Sequence, residues 1–264
     1  VAGWRGRTKT GAVAVTPIEI VMLLTVGMLS GFINTLAGGG SMLTLPALMM
    51  MGIPADLANG TNRLAVLAQS ITGAKGFDQA GRLDRSALTG VLVPTIVGAA
   101  VGALCASVLP NVWLKPILLI VMVMVACSLL LPKTTPRKSD FARPASQTLG
   151  LAAWLSLFGA GLYGGFIQAG VGFILVAVLS GVLQYDLVRS NALKLVCTGL
   201  FSGVALLIFA AQGQVLWLTG GVLALGSTLG AWVSVRVTIR LSETVLRRIL
   251  VIMVSVSCFA ALLV

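Results

Sequence analysis

The chain has 264 residues, of which 58% are hydrophobic and 9% charged, with a mean hydropathy of +1.04. A soluble domain carries about 25% charged residues, so this composition excludes a soluble globule, a disordered chain and a nucleic-acid-binding domain. It fits a polytopic membrane protein with room for roughly eight spans of ~20 residues and no soluble domain beside them. The net charge of +11 is that of loop Lys and Arg setting topology, and nucleic acid is not an expected partner.

In chain order, an N-terminal basic segment (1–16) carries Arg5, Arg7 and Lys9. The first residue is Val, and no secretory leader is evident. An apolar stretch over 17–36 is interrupted by Ala37-Gly38-Gly39-Gly40, and a short apolar piece over 41–51 ends at Gly52-Ile53-Pro54. A helix is predicted over 61–76, then a charged loop with Lys75, Asp78, Arg82, Asp84 and Arg85. Helices over 86–108 and 112–131 complete a first transmembrane repeat, 17–131. A polar basic linker, 132–148, holds Lys133, Arg137, Lys138 and Arg143 against Asp140.

The second transmembrane repeat, 149–264, follows the same plan. An apolar run over 149–161 leads into a Gly-rich stretch up to Gly172, and a short piece over 171–183 ends at Tyr185-Asp186. Further helices are predicted over 187–211, 215–235 and 244–264. An offset of 130 places Gly31 on Gly161, Gly40 on Gly170, Asp56 on Asp186 and Gly73 on Gly203, and the shared order of such matches points to duplication.

Basic residues cluster at 75–85, 133–143 and 236–248, while the turns near Pro110 and 212–214 are uncharged. By the positive-inside rule the segment 86–108 runs outward and its counterpart 215–235 runs inward, which makes the repeat inverted. Two re-entrant hairpins would then put the N-terminus outside, whereas Arg5, Arg7 and Lys9 favour the inside. The expected fold is an all-α polytopic membrane protein. Its two inverted repeats have about four helical segments each, the first of each broken by glycines into a hairpin-like pair of half-helices.

The chemistry available is narrow. There is no His, which removes His-based acid–base catalysis and His metal sites. Seven carboxylates (Glu19, Asp56, Asp78, Asp84, Asp140, Asp186, Glu243) are too few for an acid-rich proton relay. Cys105, Cys127, Cys197 and Cys258 lie in apolar segments without metal-ligand spacing, so no disulfide framework, metal or cofactor is expected.

The candidates for a site lie at the breaks. Non-helical backbone within a bilayer is tolerated only inside protein or beside a water-filled cavity. Gly38-Gly39-Gly40-Ser41 precedes a short helix whose N-terminal N–H groups and dipole favour an anion. Gln168-Ala169-Gly170 repeats the break in the second half, and paired breaks point to a transporter site. Thr61-Asn62-Arg63 and Asn191-Ala192-Leu193-Lys194 follow at equivalent places. They would bring amides and cations toward the breaks, unless Thr61 or Asn59 caps the helix and Arg63 and Lys194 snorkel to headgroups. Asn34 and Gln168 are mid-membrane amides that need partners. Asp56 and Asp186 read as helix caps at the surface, with a proton or sodium role as the alternative. Gly98/Gly102 and Gly226/Gly230 suit close helix packing within or between subunits, and so a homodimer. Trp113, Trp154, Trp217 and Trp232 read as interface anchors.

The run Gly31-Phe-Ile-Asn-Thr-Leu-Ala-Gly-Gly-Gly-Ser-Met-Leu-Thr-Leu-Pro46, continuing to Gly52-Ile-Pro54 and Ala58-Asn-Gly-Thr-Asn62, resembles the first-half signature of the TauE/SafE family of sulfite exporter-type anion permeases. The stretch from Gly161 to about Gly203 resembles that family's second repeat, so the resemblance spans essentially the chain. It implies a multi-pass transporter of the bacterial inner membrane for a small sulfur-containing anion, sulfite or an organosulfonate such as sulfoacetate. Gly38, Gly39, Gly40, Ser41, Thr61 and Asn62 match its motif. Gly170 remains in the second half, with Gln168 and Ala169 where a fuller glycine run would stand. The expected mode is export by alternating access. The rivals are an anion channel, a permease for another small anion or sulfur compound, an intramembrane enzyme and an assembly subunit.

Overall fold

A computed structural model describes residues 16–36, 38–130 and 150–240. The described residues are helical, with no strand among them. In order they are α1 (Pro17–Leu36), α2 (Ser41–Met50), α3 (Ala55–Gln79), α4 (Leu88–Val108), α5 (Asn111–Leu130), α6 (Leu151–Phe166), α7 (Val171–Ala177), α8 (Leu187–Ala211) and α9 (Trp217–Arg240). A π-helical turn, Val178–Val182, extends α7. The linker 132–148 and the expected helix 244–264 lie outside the described residues.

Local chemistry sets several helix starts. Thr16 and Glu19 form a reciprocal capping box around Pro17: the Thr16 N–H donates to Glu19 Oε2 at 2.8 Å, and the Glu19 N–H to Thr16 Oγ1 at 3.3 Å. Asp186 caps α8 through the Arg189 N–H at 2.9 Å. Asp56 is not a cap. It sits inside the first turn of α3, after Pro54, where its charge opposes the positive helix end.

Several boundaries differ from the sequence expectation, among them the end of α9, which runs to Arg240 and not 235, and two next to the candidate residues. Helix α3 begins at Ala55, six residues before 61, so Thr61, Asn62 and Arg63 stand in its second and third turns. Its early residues are polar, and hydropathy looks for lipid exposure, whereas Ala58 through Arg63 are buried in protein. Helix α6 runs on to Phe166, past Gly161. Gly161 and Gly165 do not break it, because they press against the backbones of Thr95 and Ala99 on α4.

The halves are interleaved. Helix α1 packs on α9 and α6 on α4, so the first helix of each half lies against the fourth-segment helix of the other. Both contacts are glycine-lined: Gly27 and Gly31 meet Leu223 and Ser227, and Gly226 and Gly230 meet Leu24 and Met28. On the other side Gly98 and Gly102 meet Phe158 and Leu162. These GxxxG faces are thus occupied within one chain, and are not free to pair two subunits. Helices α3 and α8 cross at the centre in opposite directions, with Leu67 against Gly203, Ser70 against Gly199 and Gly73 against Leu195.

The outside is apolar. Val21, Leu29, Val97, Val101, Leu155, Leu207, Leu229 and Val233 are exposed, as a lipid-facing surface requires. Four described helices are long and apolar enough to cross a membrane. Trp113, Trp154, Trp217 and Trp232 are also exposed. The Arg236 guanidinium lies 3.2 Å from the Trp232 ring centroid, a cation–π contact suited to the headgroup level.

Candidate functional site

The two chain breaks touch. Gly38 adopts φ +105° and lies against Gly172, backbone on backbone, so that a Cβ on either would collide with the other. Gly39 faces the Phe173 ring, and Gly40 lies under the Ser30 carbonyl and Asn34 Cβ. In the second half Gly170 takes φ 72° and Gln168 φ 67°. Gln168 therefore holds the left-handed conformation of its counterpart Gly38, at a cost of roughly 1–2 kcal/mol for a residue with a side chain.

The Gln168 side chain is what uses that conformation. Its Nε2 donates to Ser202 Oγ at 2.6 Å, and its Oε1 accepts from Asn62 Nδ2 at 3.4 Å. The other Asn62 N–H reaches Ser41 Oγ at 3.1 Å, and Asn62 Oδ1 accepts from Thr44 Oγ1 at 2.6 Å. Ser41, Thr44, Asn62, Gln168 and Ser202 are all buried. One polar network so joins α2, α3, the second break and α8.

Breaking a helix inside a bundle leaves C-terminal carbonyls without partners, and in a membrane they must find protein donors. Arg63 supplies them for α6. It donates from Nη1 to Gly164 O, and from Nη2 to Gly165 O at 2.7 Å, Phe166 O at 3.4 Å and Asn59 Oδ1 at 3.1 Å. Asn59 Nδ2 adds a bond to Phe166 O at 2.8 Å, and the guanidinium lies 5.4 Å from the Phe209 ring centroid. Lys194 does the same for α1, with Nζ on Asn34 O at 2.9 Å, Thr35 O at 3.2 Å and Asn191 Oδ1 at 2.9 Å. Both cations are completely buried. Each sits on the negative end of a helix from the opposite half, where charge and dipole match. Neither snorkels to the surface.

The remaining candidates are dispersed. Thr61 Oγ1 accepts the Leu216 N–H at 2.9 Å and ties α3 to the start of α9, away from the breaks. The buried Asn34 side chain stands beside Gly40 and makes no hydrogen bond to another described residue. Asn191 Oδ1 is engaged by Lys194 but its Nδ2 is unpartnered. Sequence reasoning did not single out Thr44 or Ser202, which close the network, and weighed Asn59, which backs Arg63, only as a helix cap. Isolated hydroxyls in apolar runs carry little signal. Among the described residues no group of three or more His, Cys, Asp or Glu could hold a metal ion.

Interrupted helices meeting inside a polytopic bundle, with buried amides and hydroxyls around the contact, define a membrane transporter built on broken helices. Residues 23–261 match the profile of the family described as Sulfite exporter TauE/SafE, and the chain belongs to that family. It is 27% identical over 234 residues to a probable membrane transporter protein of Haemophilus influenzae, covering 89% of this chain and 91% of the relative. It is 29% identical over 243 residues to the probable membrane transporter protein YfcA of Escherichia coli K12, covering 92% and 89%. A third relative, the probable membrane transporter protein ORF9 of a Sinorhizobium species, is 28% identical over 236 residues, covering 88% of each chain. No solved structure matches.

Proposed function

We propose that this protein exports a small sulfur oxyanion, sulfite or an organosulfonate such as sulfoacetate, across the bacterial inner membrane by alternating access. It performs no catalysis and needs no cofactor. The observation that carries the reading is the contact of the two breaks, Gly38 on Gly172, within a chain of the sulfite exporter family. Glycine there lets two backbones slide past each other with no side chain between them. The halves are taken as inverted. The antiparallel crossing of α3 and α8 and the basic loops at 75–85 and 236–248 support that orientation.

In this reading Gly38, Gly39, Gly40 and Gly170 are the moving joints, and Ser41, Asn62 and Gln168 couple them. Asn34 and Asn191 offer amide groups toward the anion. Thr61 keeps α9 in place while the hairpins move. Arg63 and Lys194 hold the helix ends and give the centre a positive field, with no carboxylate among the described residues bonded to either. Expelling an anion from a cell with a negative interior is downhill by ~2.3 kcal/mol per charge per 100 mV, so a uniporter suffices.

The test is electrogenic flux in proteoliposomes, stepped through sulfite, sulfoacetate, sulfate and chloride. A saturable signal with sulfur anions and counterflow is expected. Folded protein that is silent for every sulfur anion would remove the reading. Non-saturating unitary currents would replace the carrier with an anion channel.

A further inference from the structure

The break network is closed on itself, with the Asn62 carbonyl and both its N–H groups engaged. A few residues along the same helix faces the situation reverses. Gln69 Nε2 and Oε1, Ser70 Oγ, Thr198 Oγ1, Thr35 Oγ1 and Asn191 Nδ2 are buried and have no hydrogen-bond partner. All five residues are at most 2% exposed. A native fold leaves few such groups, and each costs stability, so a cluster of them has a use.

The cluster lies along the α3–α8 crossing and the end of α1 beside it. Ser70 lies against Gly199 at the α3–α8 crossing, and Thr198 adjoins that glycine. Gln69 and Gly73 share a face of α3, and Gly73 lies beside both Leu195 and the Thr35 methyl. Thr35 O and Asn191 Oδ1 share the Lys194 ammonium. The repeat offset puts Gln69 opposite Gly199, so this is where the two halves meet their own counterparts. The chemistry of the cluster is one-sided. Two amide groups and three hydroxyls can donate, and Gln69 Oε1 is the single obligate acceptor. The nearest charge is Lys194, and none of the described carboxylates (Glu19, Asp56, Asp78, Asp84, Asp186) belongs to the cluster.

We propose that a small oxyanion is seated at the α3–α8 crossing by Gln69, Ser70 and Thr198, with Thr35 and Asn191 leading from there to Lys194. The sulfur identity of that anion rests on the function proposed above. The oxyanion character rests on the excess of donors alone.

Thermal unfolding of the detergent-solubilised full chain would be followed with and without sulfite, sulfoacetate, sulfate and phosphate, beside flux in proteoliposomes. The variants are Gln69→Glu, which sets a carboxylate against the anion, and Thr198→Val, which removes one hydroxyl without changing shape. An anion should raise the wild-type Tm. Gln69→Glu should abolish that rise, and Thr198→Val should weaken apparent affinity about tenfold, the loss of one charge-assisted hydrogen bond. Without anion, Thr198→Val should unfold no lower than wild type, because an unpartnered hydroxyl has been removed. This control keeps the test valid if Gln69→Glu fails to fold. Flux of sulfur anions with unchanged KM in Thr198→Val would overturn the site and leave the transport reading intact. Stabilisation by phosphate but by no sulfur anion, lost in Thr198→Val, would keep the site and remove the sulfur reading. Wild-type protein indifferent to every anion would overturn both.

Discussion

The two chain breaks occupy equivalent places and reach the same contact with different residues. The first spends three consecutive glycines, with one of them, Gly38, at φ +105°. The second puts Gln168 in the left-handed region at φ 67° and uses its amide to bridge Asn62 on α3 to Ser202 on α8. One break is therefore a backbone joint and the other a joint with a polar latch. The same contact is thus reached by two different chemistries.

The sharpest way to break this comparison is to give the first break a side chain. Gly38→Ala adds left-handed strain and a collision with Gly172, and should cost about 3 kcal/mol or more, read by urea unfolding in mixed micelles. Gly52→Ala isolates the strain, since Gly52 has φ 80° with nothing within 4 Å of a Cβ there, and should cost about 1–2 kcal/mol.

The helix-end cations come next. Arg63→Met removes four hydrogen bonds, leaving Gly164 O and Gly165 O without a side-chain donor, and should cost about 3 kcal/mol, whereas Lys194→Met removes three and should cost less. Arg63→Lys should restore little of the loss, because a point charge cannot span Gly164 through Phe166 as the planar guanidinium does. Chevron or equilibrium unfolding of the three variants side by side would check the order.

Gln168→Gly makes the two breaks alike. Relief of strain should offset only part of the loss of the Ser202 and Asn62 bonds, leaving a net cost of about 1–2 kcal/mol. Flux in proteoliposomes should fall severalfold if the latch couples α8 to the hairpins. Unchanged flux would make Gln168 a mere relic of the turn. The smallest effects belong to the acids that follow each half-helix. Asp186→Ala removes a true N-cap and should cost about 1 kcal/mol, while Asp56→Ala should cost only a few tenths. Equal losses would mean that the two helix starts are alike after all.

What the sequence made legible follows from where each residue's partner lies. The bounds of α1 and α8 came out as read, because a Pro start, a glycine run and an Asp cap are local signals. Helix α3 was misjudged at its N-terminus because its polar residues answer to Phe166 and Thr44, not to water. The glycine breaks, the polar character of Asn62 and Gln168 and the importance of two cations were all visible. The destination of those cations was not. Arg63 reaches a carbonyl 101 residues away and Lys194 one 160 away, and no spacing rule connects them. The orphaned Gln69, Ser70 and Thr198 were equally silent, since only packing reveals which hydroxyls lack a partner.

The interleaving of α1 with α9 bears on how the protein is made. Leu36 leaves the ribosome 181 residues before Trp217, the first residue of its packing partner. At 5–20 residues per second that is a wait of roughly 10–40 s. Through it the groove of Gly27 and Gly31 lies open in the bilayer, next to whatever other helices are nearby. Biogenesis must therefore include a chaperoned interval in which α1 is kept from the wrong neighbour. Neither half expressed alone should accumulate, and the two halves co-expressed as separate chains should rescue each other.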